Sequence, residues 1–361
     1  MPTIRNDITK VKKINIELIK SALKEHPEST KGQIAETTGI SVVTCGKILN
    51  ELQAKGEVLE VQQINTGCGR PATSYRFNAT FELVACLFLW SDRGQLELVS
   101  QISDLTGQVT FSEVRALDTL DYGTLEDAVR HLLAQDGRIR AVAVGLPGAV
   151  SRGTVTSSYL LALNGVPLEK KLRNAFPAVT VILESAARAA AYGYCIAEQP
   201  RPDEIISYFF IPTAVRTGRG PHEILGPDTS MDGINAVCKP LIVDVGFAGD
   251  RKIIRGSTGF AGSMGMFLPP GAYSDLPATV ISELLRIMIP VINPSVIVVT
   301  GNGVTRIKLA EIEDLCARAI PTEHRPRFLF RPDCHLDYSR GLTLIALQEL
   351  SCPIELVQKR I

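Results

Sequence analysis

Near the start of the chain, apolar side chains return at Val11, Ile14, Leu18 and Ala22, a helical spacing that predicts an amphipathic helix over residues 8–25. That helix has to stop before His26-Pro27, because the residue ahead of a proline is driven out of the helical region. Thr30 can cap a second, short helix through Gln33, three residues on at capping-box spacing, and Gly39 ends it after Ile34 and Ala35. Ser41 can cap a third, whose Cys45, Ile48, Leu49 and Leu52 fall on one stripe and whose stop is Gly56. Two short helices joined by a tight glycine turn are a helix-turn-helix. The next stretch, EVLEVQQINTGCGRPATSYRFN, has short strand-like runs around a glycine-rich turn and reads as a winged extension.

Beyond residue 78 the pattern changes to strands alternating with helices. FELVACLFLW and QLELVSQISDLTGQVTF predict two strands joined by the turn SDRG, and a helix follows around 124–135. RIRAVAVGLPGAV is a buried strand opening into the loop Gly145-Leu-Pro-Gly148. TVIL with an alanine-rich helix behind it, IISYFFI, LIVDVGFAG, and VIVVTGNG with a helix from Ile307 continue the alternation. This predicts an α/β body with a mixed sheet, repeated in two lobes, although the sequence holds no exact internal repeat. Residues 212–240, rich in Gly, Pro and polar groups, are expected to form a long loop or insertion. The expected domains are therefore residues 1–78 and 79–361, with the second lobe at roughly 186–340.

If the first domain reads DNA, the third helix enters the major groove by its N-terminal part, behind the Ser41 cap. Opposite its apolar stripe stand Val43, Thr44, Gly46 and Lys47. Val43 can touch a thymine methyl, Thr44 can bond a base edge or phosphate, and Lys47 suits a phosphate or a guanine. Gly46 costs about 1 kcal/mol of helix stability relative to Ala, yet lets backbone approach closely. In the wing, Gly69-Arg70-Pro71 offers an extended arginine to a narrow minor groove. The competing reading is a three-helix domain that only binds other helices.

Composition narrows the class without naming a function. A hydrophobic share of 45% and a charged share of 21% are those of a globular protein. No run of about 18 apolar residues occurs and the N-terminal MPTIRNDITKVKK has no apolar signal core, so a cytoplasmic protein that does not span a membrane is expected. Cysteines 45, 68, 86, 195, 238, 316, 334 and 352 form no CxxC pair, and the five histidines have no HxxxH or HExxH spacing, so no metal site is expected. The net charge of zero hides an asymmetry: residues 1–78 carry 11 Lys and Arg against 8 Asp and Glu, and the remainder carries 27 against 30. A slightly basic module on a slightly acidic body permits nucleic-acid binding.

The whole chain also resembles a known family. A winged helix with GRP in its wing, followed by AVGLPGAV, NGVPL, VILESAARAAAYGY, RGSTGFAGSMG and VVTGNG, is similar to the ROK family. The resemblance implies an actin-like ATPase body of two lobes around a cleft. It leaves two activities open: sugar kinase, or sugar-responsive transcriptional repressor when a winged helix is present.

Residue by residue, the motifs that the resemblance assigns to catalysis are depleted. Where the kinases open the body with a DxGGT-like phosphate turn, this chain reads LWSDRGQ, with Asp92 beyond the apolar run. Their E-N-D-A-N segment, whose Asp takes the proton from the sugar, reads Glu184-Ser185-Ala186-Ala187-Arg188, so the base falls on Ala186. Glu184 itself reads most simply as a helix N-terminal carboxylate favoured by the dipole. Their sugar-binding Glu and their His for sugar and zinc fall on Ser263 and Met266 of Gly259-Phe-Ala-Gly262-Ser263-Met264-Gly265-Met266, and FLPPGAYSDLP replaces the zinc loop. Asp244 in LIVDVG reads as a turn or cap residue. The expectation is a transcriptional regulator, most simply a repressor, that binds a double-stranded operator as a homodimer or dimer of dimers. It has no catalytic residues, metal or cofactor, and a body for dimerisation and sugar-like effector sensing near Asn164, Glu184, Ser185, Gly262 and Ser263. The alternatives are an active kinase fused to a DNA reader and a pure protein-interaction scaffold.

Overall fold

A computed structural model describes residues 5–62, 73–92, 95–117, 120–157, 161–211, 243–268, 276–301 and 303–350. They divide into two compact units. One holds the described residues up to Leu83, Ser103–Gln108 and those from Leu347; the other holds Val84–Ile102 and Val109–Ala346.

The first unit runs α1 (Arg5–Glu25), β1 (Ser29–Thr30), α2 (Lys31–Thr38), α3 (Val42–Lys55), β2 (Val58–Gln62) and β3 (Thr73–Phe77). Its local signals act as the sequence predicts. Thr30 and Gln33 cap each other reciprocally, and Gly39 and Gly56 end α2 and α3 in the left-handed region at φ 69° and 84°. Cys45, Ile48, Leu49 and Leu52 of α3 pack with Ile34, Ile19, Leu23, Val58, Tyr75 and Phe77 in one core. Strand β3 lies between β1 and β2 and pairs antiparallel with both, Gln62 standing opposite Thr73. Three helices and a three-stranded sheet make the layout of a winged helix-turn-helix.

On α1 the buried stripe differs from the expected one. Ile19, Ala22 and Leu23 are buried and Ile16 packs beside them, whereas Val11 is 53% exposed and Ile14 and Leu18 are only half-buried. The helix carries two overlapping apolar series, and the one that meets Ile34 and Leu49 decides its facing. Spacing within a single helix cannot make that choice.

The second unit contains two five-stranded sheets of the same strand order. Strands β4 (Leu83–Asp92), β5 (Gln95–Asp104), β6 (Val109–Leu117), β7 (Ile139–Leu146) and β10 (Thr180–Ser185) form the first, ordered β10-β7-β4-β5-β6. Strands β11 (Ile205–Phe210), β12 (Asp244–Gly249), β13 (Lys252–Ile253), β14 (Val296–Thr300) and β15 (Arg327–Arg331) form the second, ordered β13-β12-β11-β14-β15. Leaving aside the small hairpin β8 (Ala149–Ser151) and β9 (Thr154–Ser157), each sheet reads third, second, first, fourth, fifth strand. The two expected lobes are therefore repeats in topology that share no sequence repeat. The helices are α4 (Tyr122–Gln135), α5 (Leu168–Ala175), α6 (Ala186–Glu198), α7 (Ala278–Ile292), α8 (Arg306–Ala317) and α9 (His335–Leu350).

Two readings change here. QLELVSQISDLTGQVTF is two strands rather than one: Asp104 Oδ1 accepts from Thr106 N at 2.8 Å and Gln108 N at 3.1 Å, and Gly107 adopts φ 86° to turn the chain. The stretch 212–240, expected as a loop, lies outside the described residues.

Helix α6 organises the site. Residues Ala186 to Cys195 are all buried, and the alanines and Gly193 among them let neighbouring backbones come close. On β12, Val245 and Phe247 point into the core shared with α7 and α8, while Gly246 faces α6; a Cβ there would lie 1.9 Å from Ala187 O. Likewise a Cβ on Gly193 would meet Asp337 O at 1.9 Å, and one on Gly341 would meet Ala189 O at 1.8 Å. Helices α6 and α9 thus cross backbone to backbone, which only glycine and alanine permit.

Candidate functional site

The exposed end of α3 follows from its cap. Ser41 Oγ accepts from Thr44 N at 3.2 Å and lies 2.9 Å from Thr44 Oγ1, so the two hydroxyls engage each other at the helix start. With the Cys45–Leu52 stripe buried, the opposite face presents Val42 and Val43, 53% and 70% exposed, and an exposed Lys47. Isopropyl groups side by side at a helix start gain nothing from water and suit contact with another apolar surface.

Gly46 has a local reason in addition to close approach. A Cβ there would meet Lys31 Cδ at 3.8 Å and Nζ at 4.0 Å, so the stem of Lys31 from the start of α2 lies across the glycine. The Lys31 ammonium also sits 5.5 Å from the centre of the Tyr75 ring. Lys31 thereby joins Val43, Gly46 and Lys47 on one face, a cation that helix-by-helix reading of the sequence missed; its signal is the glycine on a neighbouring helix. Gly69 and Arg70 lie outside the described residues.

The second site lies where β10 passes into α6. Glu184 and Ser185 end the strand; Ser185 caps the helix by accepting from Arg188 N at 3.4 Å and donates from Oγ to Asp244 Oδ2 at 2.9 Å. Glu184 is 2% exposed. Its Oε1 takes Arg188 Nε at 2.6 Å, and its Oε2 takes Arg255 Nη2 at 2.7 Å and Nε at 2.9 Å. Arg188, itself 4% exposed, further donates from Nη1 to Gly259 O at 2.7 Å and from Nη2 to Val150 O at 2.9 Å. Glu184 is therefore not a simple helix-terminal carboxylate: two arginines hold it.

Asp244 also departs from its reading as a turn or cap residue. It opens β12, is buried, and bridges in antiparallel fashion to Ser263. Burial pushes its carboxyl up to about 7 against the pull of Arg188 and the Ser185 hydroxyl. Gly262 belongs to the same wall: its O accepts from Val245 N at 2.9 Å, and a Cβ there would lie 1.7 Å from Val245 O. Glu184, Ser185, Gly262 and Ser263 are thus brought to one wall through Asp244 and Val245. Asn164 occupies the turn before α5, half-buried, next to Gly165, whose N donates to Val155 O at 2.8 Å. Ala186 stands buried as a methyl group behind Ser185. Sequence reading missed Arg188, Arg255 and Asp244 as members of one network. The available signal was Arg188 alone among alanines, four residues after a glutamate, since a charge in a buried helix needs a partner.

Chemically the wall holds carboxylates and guanidiniums already bonded to one another. Among the described residues, no group of three or more His, Cys, Asp or Glu is placed to hold a metal ion.

No protein-family model matches the chain. It is similar to the xylose repressor of Bacillus subtilis (strain 168), 24% identical over 226 residues, a match covering 59% of this chain and only 56% of that protein. Among solved structures, a ROK family transcriptional regulator, a homologue of the Escherichia coli MLC protein, superposes with TM-score 0.58 at 15% identity over 94% of this chain and 99% of that one. A ROK hexokinase from Thermus thermophilus superposes with TM-score 0.53 at 16% identity, but over 74% of this chain and 99% of its own. A putative N-acetylmannosamine kinase from Listeria monocytogenes gives TM-score 0.56 at 14% identity over the same 74%. The regulator accounts for nearly the full length, and each kinase leaves about a quarter of this chain without a counterpart.

Proposed function

We propose that this chain, whose fold is that of the ROK proteins, is a DNA-binding transcriptional repressor built on a catalytically inactive sugar-kinase-like body. The observation that carries the reading is the face of α3, where Val43 and Lys47 are exposed on a helix whose other side is fully packed. On this reading Val43 meets thymine methyls, Lys47 and Lys31 meet phosphates, and the Arg70 wing enters the minor groove. Thr44 and Ser41 fix the helix start against the backbone. One short helix reads few base pairs, so two protomers act on paired half-sites. The body supplies dimerisation, and an effector acts by favouring one geometry of the pair over the other. The site of action is the cytoplasm.

Selection of genomic fragments on the purified protein, followed by binding titrations at several salt concentrations, tests this. The reading expects a discrete motif with two half-sites, and a salt slope that falls by about one on Lys47→Ala. Turnover of ATP with any of a panel of sugars would replace it by the kinase reading.

A further inference from the structure

Buried Arg188 bonds to groups carried by both lobes. Its acceptors come from both lobes: Glu184 on β10 and Val150 on β8 belong with the first sheet, and Gly259 follows β13 of the second. Two further bonds cross at the same place, Arg255 to Glu184 and the Ser151 hydroxyl to Thr258 O. The resemblance to the sugar kinases puts the sugar-activating base two residues before Arg188, at Ala186. The guanidinium there satisfies two carbonyls and a carboxylate drawn from both lobes.

The geometry points to Arg188 as a latch between the two lobes. It ties them through its own side chain and bars free sugars from the Glu184 wall. A guanidinium is suited to this, since its rigid fork serves several acceptors at once and stays charged at any relevant pH. A neutral sugar hydroxyl entering here would have to displace a charge-assisted bond at 2.6 Å from a buried carboxylate, and would leave that charge poorly paired. The inference rests on the body being non-catalytic. It goes further in naming the residue that makes the cleft refuse a sugar, so any effector of this protein either displaces Arg188 or acts elsewhere.

Amide hydrogen exchange on the full chain tests it, comparing wild type with Arg188→Ala over residues 149–157 and 255–264. Release of the latch is expected to raise exchange roughly tenfold or more in both segments together, and ethylguanidinium in the buffer is expected to restore protection. Should Arg188→Ala fail to fold, the charge-free pair Glu184→Gln with Arg188→Met carries the same comparison. Calorimetry with D-xylose, D-glucose and N-acetylglucosamine is expected to give no binding heat on wild type. Unchanged exchange in a folded variant, or a sugar binding equally well to wild type and variant, would overturn the latch while leaving DNA binding untouched. Sugar phosphorylation by wild type would instead strike at the non-catalytic reading itself.

Discussion

Lys47, Val42 and Val43 on α3 stand in solvent, whereas Glu184, Arg188 and Asp244 around the start of α6 are 2%, 4% and 5% exposed and bonded within the chain. Both regions carry the residue types that binding sites are made of, but only the first leaves them available. A solvated lysine keeps its charge for a phosphate at little cost to the fold. A buried arginine and glutamate are held by each other, and breaking one partner leaves the other charged in a poor solvent. The difference separates a solvated surface from an interior whose polar groups are bonded to one another.

Substitution should separate the two regions most sharply in stability. Arg188→Ala is expected to destabilise the fold by about 3–5 kcal/mol in urea denaturation, because it strands Glu184 with the half-exposed Arg255 alone. Lys47→Ala should change stability by less than about 0.5 kcal/mol. A mild effect at Arg188 would mean that the cleft charges are solvated after all, and the contrast would fail.

Next in size is a pH effect confined to the cleft. The Asp244 carboxyl is raised from 3.8 to about 7, so the folded chain holds its proton more tightly than the unfolded chain does. Its contribution to stability is therefore present at acid pH and lost as pH rises from about 4 to about 7, at no more than about 1.4 kcal/mol per pH unit. Asp244→Asn should remove that part of the decline in denaturation midpoints between these limits. An unchanged profile would show that Asp244 is ionised throughout this range.

On the exposed α3 face smaller changes are expected in stability and, under the proposed function, clear ones in DNA binding. Lys31→Ala should weaken binding to a selected operator several-fold and lower the salt slope by about one, with a melting temperature close to wild type. Gly46→Ala should stabilise α3 by about 1 kcal/mol at most, since its Cβ meets the Lys31 stem at ordinary contact distance. If that variant also bound DNA better, Gly46 would have no part in directing Lys31.

How much of this was legible along the chain differs between the same two regions. The helix-turn-helix could be read from caps and stops, because Thr30, Gln33, Gly39, Ser41 and Gly56 each act within one turn of helix. The stripe on α1 could not, since Val11, Ile14 and Leu18 look as good as Ile16, Ile19 and Leu23 until a partner helix chooses. In the body, the strand alternation announced two lobes, yet the break after Asp104 was missed, because strand-forming residues stand on both sides of it. That Ala186 stands where the resemblance puts the base was visible by comparison with a motif. The network beside it was not, because Arg188 finds Val150 and Gly259 at separations of 38 and 71 residues. Lys31 was missed for the same reason: its place is fixed by a glycine on another helix.

The most direct test of the central claim is a titration of full-length wild type and Lys47→Ala against fragments it selects from genomic DNA, run beside an ATP-turnover assay with sugars. The account predicts enrichment of a paired half-site motif, loss of affinity with a salt slope lower by about one in the variant, and no sugar-dependent turnover. No enrichment together with sugar-dependent turnover would contradict it, by placing the working chemistry in the cleft.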